Sequence, residues 1–134
     1  MLRRDFQVLS AVRVREAKTL ASAQLYDGAY YLGGLAVECA LKSAVAKATQ
    51  RYEFPDRQRS EKAHVHNLEA LLRLSGLESR LNAADDTVRA SWSTIKNWNV
   101  DTRYRVSRPP DEVLGFLDAV AGPKGVLRWL KQFW

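Results

Sequence analysis

A chain with one cysteine and two histidines has little from which to build a disulfide or metal centre. Cys39 has no intrachain partner, and the Cys and His residues together fall short of the four ligands of a structural zinc site. A lone thiol points to a reducing compartment. No uncharged stretch approaches the roughly 20 apolar residues of a membrane span, and the start MLRRDF lacks the apolar segment of a secretion signal. The expectation is a cytoplasmic protein without membrane contact. No segment alternates as a strand would, and there is no internal repeat or low-complexity tract. Glycine-rich signatures are missing too: there is no Gly-x-Ser-x-Gly, no P-loop pattern and no dinucleotide fingerprint. Gly122-Pro123-Lys124-Gly125 shares only composition with a phosphate cradle and reads as a helix breaker. No cofactor is expected.

What is present is apolar and basic. With 134 residues, 46% of them hydrophobic, the chain is long enough for one genuine core. Residues 1–134 therefore read as one helical domain, with a long loop at about 50–66 and a C-terminal extension at about 122–134. A formal charge of +6 favours long-range attraction to polyanions such as RNA or DNA.

The organising stretch is Tyr30 to Lys47, YYLGGLAVECALKSAVAK. Tyr30, Gly33, Val37, Ala40, Leu41, Ala44 and Ala48 recur at helical spacing, and Tyr31, Leu35 and Val45 widen the apolar surface. A helix this apolar needs neighbours on several sides. Gly33, Gly34, Ala36 and Ala40 would admit them closely.

Before it, Leu2, Phe6, Leu9, Ala17 and Leu20 share one face of a first long helix; Arg13 projects from that face, read either as a polar functional residue or as a stem buried at the helix edge with its head in solvent. Asp27-Gly28 punctuates the chain, so these two helices should be antiparallel. After about Thr49 the sequence RYEFPDRQRSEKAHVHN turns polar and carries Pro55. Asn67 caps a short third helix with Leu68, Leu71 and Leu72 inward, ended by Ser75-Gly76, and a turn at 77–81 follows. Asp85-Asp86 opens a fourth helix with Val88, Trp92, Ile95 and Trp98 or Asn99 inward, fraying near Asn99. Pro109-Pro110-Asp111-Glu112 starts a fifth with Val113, Leu117 and Val120 inward. The sum is an all-α bundle of four main helices with a C-terminal helical extension.

In the order of its features, the chain resembles the HEPN family of small helical domains. The resemblance rests on the first-helix pattern, then YDGAYYLGGLAVECALKSAV, then HNLEALL, then a tryptophan-bearing helix running into WNVDTRY. It implies an antiparallel bundle that commonly forms homodimers. Some HEPN proteins are metal-independent endoribonucleases, with an Arg followed after four to six residues by a His near the start of a late helix. Others lack that motif and pair with a small nucleotidyltransferase, or bind nucleotides or RNA without cutting.

Here the Arg-to-His spacing occurs only before the third helix, in Arg59 with His64 or His66 and in Arg57 with His64. The late position has Arg103-Tyr104-Arg105-Val106-Ser107-Arg108 and no histidine. Arg59, His64 and His66 are thus the catalytic candidates only if the chain is a ribonuclease. The other reading of His66 is a residue at the helix entrance bonded to backbone or to Glu38. Glu61 and His64 have the Glu-x-x-His spacing of di-iron bundles, but a single copy makes no metal site.

Glu38 and Lys42 are spaced to pair along the central helix, with Arg103, His66 and Tyr104 as further partners for the carboxylate. The strongest ligand-binding candidates are Arg103, Tyr104 and Arg105, because arginines hold phosphates while aromatic rings stack on bases. Glu38 and Lys42 complete that set. Trp92 and Trp98 read instead as core. The expected protein is a nucleotide- or RNA-binding homodimer or a nucleotidyltransferase partner; the alternatives are an endoribonuclease and a dimerisation module with no ligand.

Overall fold

The computed structural model describes residues 1–51 and 66–134, and the side chains of these except Gln50 and Arg51. Among the described residues the chain is all-helical, with no strand. The helices are α1 (Arg3–Ser22), α2 (Tyr26–Arg51), α3 (Leu68–Ser75), α4 (Glu78–Asn82), α5 (Asp86–Ile95), α6 (Pro110–Ala121) and α7 (Val126–Leu130), with a 3₁₀ turn at Val100–Tyr104.

Helix α2 is central because its sequence leaves little surface for water. Ala36, Val37, Ala40, Leu41, Ala44 and Val45 are all buried, and α1, α3, α6, α7 and the 3₁₀ turn pack against it. The small side chains determine how closely they come. A Cβ at Gly34 would overlap the indole of Trp98, and one at Gly33 would press on Leu117 and Phe116. Phe116, Leu68, Leu71, Ile95 and Leu130 are fully buried in the same cluster. Each such side chain contributes about 1.5–3 kcal/mol relative to exposure.

Helices α1 and α2 form an antiparallel hairpin, as expected. Leu20 meets Gly28, and the Ser10 hydroxyl donates to the Ala36 carbonyl at 2.8 Å, so α1 runs back as α2 runs forward. The break lies elsewhere than expected. Asp27-Gly28 belongs to the first turn of α2, and the chain reverses at Ala23–Leu25, where Gln24 has a φ of 61°. Asp27 serves the helix start with its negative charge and has other partners, described below. On α1 the expected inward residue Leu2 is exposed, whereas Ser10 is buried. The hydrogen bond to Ala36 makes that hydroxyl tolerable inside. Arg13 sits at the helix edge, paired with Glu16.

Helix α3 has the expected ends. The Asn67 side chain accepts from the Ala70 N–H at 2.9 Å, and Gly76 stops the helix in the left-handed region at φ 76°. The turn after it is the short helix α4, with Leu77 and Leu81 inward. Helix α5 ends at Ile95 and not near Asn99. Trp92, Ile95 and Trp98 point inward, while Asn99 is exposed and accepts from the Asp101 N–H at 2.9 Å to start the 3₁₀ turn. Pro110 occupies the first turn of α6, whose inward face includes Phe116 beside Val113 and Val120. Gly122–Gly125 separates α6 from α7, as a breaker should.

Candidate functional site

Three groups of polar side chains gather along α2. The first is near its middle. Glu38 is only 4% exposed, and Val37, Ala40 and Leu41 next to it in α2 belong to the core. Burying a carboxylate requires partners, and each oxygen has one. Nδ1 of His66 lies 2.8 Å from Oε1, and Nζ of Lys42 lies 3.4 Å from Oε2. Of the cross-bundle partners weighed for Glu38, His66 is the one in contact. It immediately precedes the cap of α3, so the carboxylate ties the start of α3 to α2. The imidazole is about half exposed, with a side-chain exposure of 51%, and Nε2 has no protein partner among the described residues.

Beside Glu38, the Cys39 thiol is pushed above its ordinary pKa, first by burial and then by the neighbouring carboxylate. It stays protonated at neutral pH and is a weak nucleophile. Among the described residues no group of His, Cys, Asp and Glu side chains could hold a metal ion. Arg57, Arg59, Glu61 and His64 lie outside the described residues.

The second group is the 3₁₀ turn. Arg103, Tyr104 and Arg105 are all exposed, with Tyr104 at 72%. The Arg103 guanidinium lies 4.8 Å from the centre of the Tyr104 ring. The nearby Tyr104 side chain, and then that of Tyr31, raise the Arg103 pKa. Tyr31 in turn stacks on Trp98 at 6.1 Å between ring centres. Trp92 and Trp98 are core, as read, so the aromatic ring this turn offers a ligand is that of Tyr104. Glu38 and Lys42 are not part of this turn. Seven residues, about 10 Å of helix, separate Tyr31 from Glu38.

The third group escaped sequence reasoning. Both oxygens of Asp27 accept backbone N–H groups, from Ser107 at 2.8 Å and Arg108 at 2.9 Å. These bonds, the one from Arg108 foremost, hold the Asp27 carboxyl below its ordinary pKa against the opposing effect of partial burial. Ser107 has a φ of 65°, in the left-handed region that non-glycine residues seldom adopt. Arg108 is buried at 7% exposure, with its guanidinium 3.6 Å from the centre of the Tyr30 ring and Nη1 2.9 Å from Glu112 Oε1. Burial raises the pKa of Tyr30, so the ring stays neutral under the cation. The signal in the sequence was the four-residue spacing of Arg108 and Glu112; nothing local tied either to Asp27.

Chemically, the first group is a carboxylate holding an imidazole, the second an exposed cation–aromatic surface, and the third a clamp on the chain between them and α6. No helix among the described residues is long and apolar enough to cross a membrane. Compared with protein-family models, curated proteins and solved structures, the chain matches none.

Proposed function

We propose that this chain is an HEPN-like module that binds a nucleotide or RNA without cutting it, as a homodimer, as the helical partner of a small nucleotidyltransferase, or as both. On this reading residues 1–134 are one domain, with the main helices as an antiparallel HEPN-like bundle and residues 122–134 as its extension. The observation that carries the binding role is the turn at Arg103–Arg105. Two exposed arginines flank an exposed tyrosine on a segment clamped at its far side by Asp27. Guanidinium groups suit phosphate oxygens, and a phenol ring gives a base a surface to stack on. The net charge of +6 acts in the same direction at longer range.

The test is RNA binding by the wild type and by Arg103→Ala with Arg105→Ala, measured across a range of salt. The double variant should bind more weakly and lose about two from the slope of log affinity against log salt, as expected for two phosphate contacts. Unchanged affinity and slope would remove this turn from the binding surface.

One observation favours a second reading, a metal-independent endoribonuclease. Glu38 holds Nδ1 of His66, and among the described residues Nε2 has no partner and can face a 2′-hydroxyl, the way a carboxylate orients an imidazole base. A cation for the phosphate would still be required, and Arg59 is the candidate. Cellular RNA incubated in excess chelator separates the readings. Intact RNA supports the binding module, whereas cleavage that His66→Ala abolishes would make the chain a nuclease.

A further inference from the structure

None of these groups involves the groove between α1 and the junction of α6 with α7. It encloses about 520 Å³, within the range of roughly 300–1,000 Å³ common to small-molecule sites. Its floor is apolar, made by Ala11 and Val14 of α1 and by Leu127 of α7. Ser10 also lines it, but its hydroxyl is committed to the Ala36 carbonyl. Around the floor stand Lys18, Arg128 and Lys131.

No carboxylate lines the groove, and none of these cations has an ion-pair partner among the described residues. Lys131 lies 5.8 Å from the centre of the Trp134 ring, which does not neutralise it. The nearby carboxylate of Asp118 stands against Gly122 without lining the groove. Like charges brought together over one apolar concavity repel, and an anion seated between them relieves that repulsion.

We infer that this groove binds a small organic anion. Its apolar body lies on Ala11, Val14 and Leu127, and its carboxylate, sulfonate or phosphate sits among Lys18, Arg128 and Lys131. Both halves of the ligand are needed. An inorganic anion gains nothing from the floor, and a neutral hydrocarbon leaves the cations uncompensated. The concave shape favours a compact molecule over a polymer backbone. This site shares no residue with the turn at Arg103–Arg105, so the two stand or fall separately.

Anilinonaphthalene sulfonate, an aromatic sulfonate whose fluorescence rises in apolar surroundings, is a suitable probe, with decanoate as competitor. The expected result is saturable one-to-one binding to the folded protein, displaced by decanoate and not by the same concentration of inorganic phosphate or of a short RNA. Lys18→Glu with Lys131→Glu should weaken binding at least tenfold. Ala11→Trp, on an exposed position of α1, should fill the groove and abolish it. Arg103→Ala with Arg105→Ala should leave it unchanged. Unaltered probe binding in the groove variants, or displacement by phosphate or RNA as effective as by decanoate, would overturn the assignment. Should either groove variant fail to fold, amide shifts of the wild type on adding decanoate decide: changes at Ala11, Lys18 and Leu127 support the site, and changes confined elsewhere refute it.

Discussion

Asp27 and Arg108 stand 81 residues apart in the chain, yet the Arg108 N–H donates to Asp27 Oδ1 at 2.9 Å. The neighbouring Ser107 N–H takes the other oxygen, so one carboxylate at the start of α2 holds two consecutive amides. Backbone donors away from regular structure take such acceptors in place of a helical carbonyl. The clamp also holds Ser107 in its left-handed conformation and places Arg108 over Tyr30.

This clamp should be sensitive to acid. Because the pKa of Asp27 is lower folded than its ordinary 3.8, the charged form favours folding; its contribution is complete above about 3.8 and is lost as pH falls through the folded pKa. Wild type should therefore be more stable than Asp27→Asn at neutral pH, and the difference should vanish on acidification. Urea unfolding of both proteins over a pH series measures it. A difference that persisted at low pH would show that the carboxylate charge is not what matters.

Glu38 and His66 should be energetically coupled. A double-mutant cycle with Glu38→Gln and His66→Ala is expected to give an interaction of at least about 0.5 kcal/mol, the lower end for residues in direct contact. Strict additivity in unfolding experiments would mean that the 2.8 Å contact contributes nothing to stability.

Two helical glycines should respond in opposite directions. At Gly34 a methyl group would strike Trp98, so Gly34→Ala should destabilise by about 1–3 kcal/mol, the usual cost of overpacking. At Gly115, exposed within α6, a Cβ meets nothing within 4 Å. Gly115→Ala should stabilise by about 0.4–1 kcal/mol through helix preference and a less free unfolded chain. Thermal melts of the two variants are sufficient, and the same sign for both would contradict the packing described.

If the chain acts as a homodimer, light scattering at high micromolar concentration should return twice the 15.2 kDa chain mass. A monomer under those conditions would remove the dimer from the proposed function and leave a heterologous partner or a single-copy binding module.

Much of the architecture was legible because helices advertise themselves locally. The cap at Asn67, the glycine at 76, the prolines at the start of α6 and the apolar face of α2 each depend on a few neighbouring residues, and each appears where the sequence places it. The misreadings arose where a local signal competed with a distant partner. Asp27-Gly28 looks like a turn, but the carboxylate is held by Ser107 and Arg108, and α2 begins before it. Ser10 looks unsuited to a core until Ala36 supplies an acceptor. Trp98 and Asn99 were interchangeable on helical spacing alone; the space above Gly34 settles that Trp98 goes in.

The candidate site divides in the same way. By itself the sequence determined which residues carry charge and rings, the pairing of Glu38 with Lys42 one turn apart, and an arginine–tyrosine cluster after α5, since these follow from composition and helical period. Only the tertiary structure decided that His66, and not Arg103 or Tyr104, meets Glu38, that Arg108 is buried under Glu112 and against Tyr30, and that Lys18 of α1 joins Arg128 and Lys131 around one groove. Apart from Arg108 with Glu112, those contacts join residues tens of positions apart. They depend on how closely α1, α3 and α6 approach α2, which small side chains allow but whose partners no local pattern specifies.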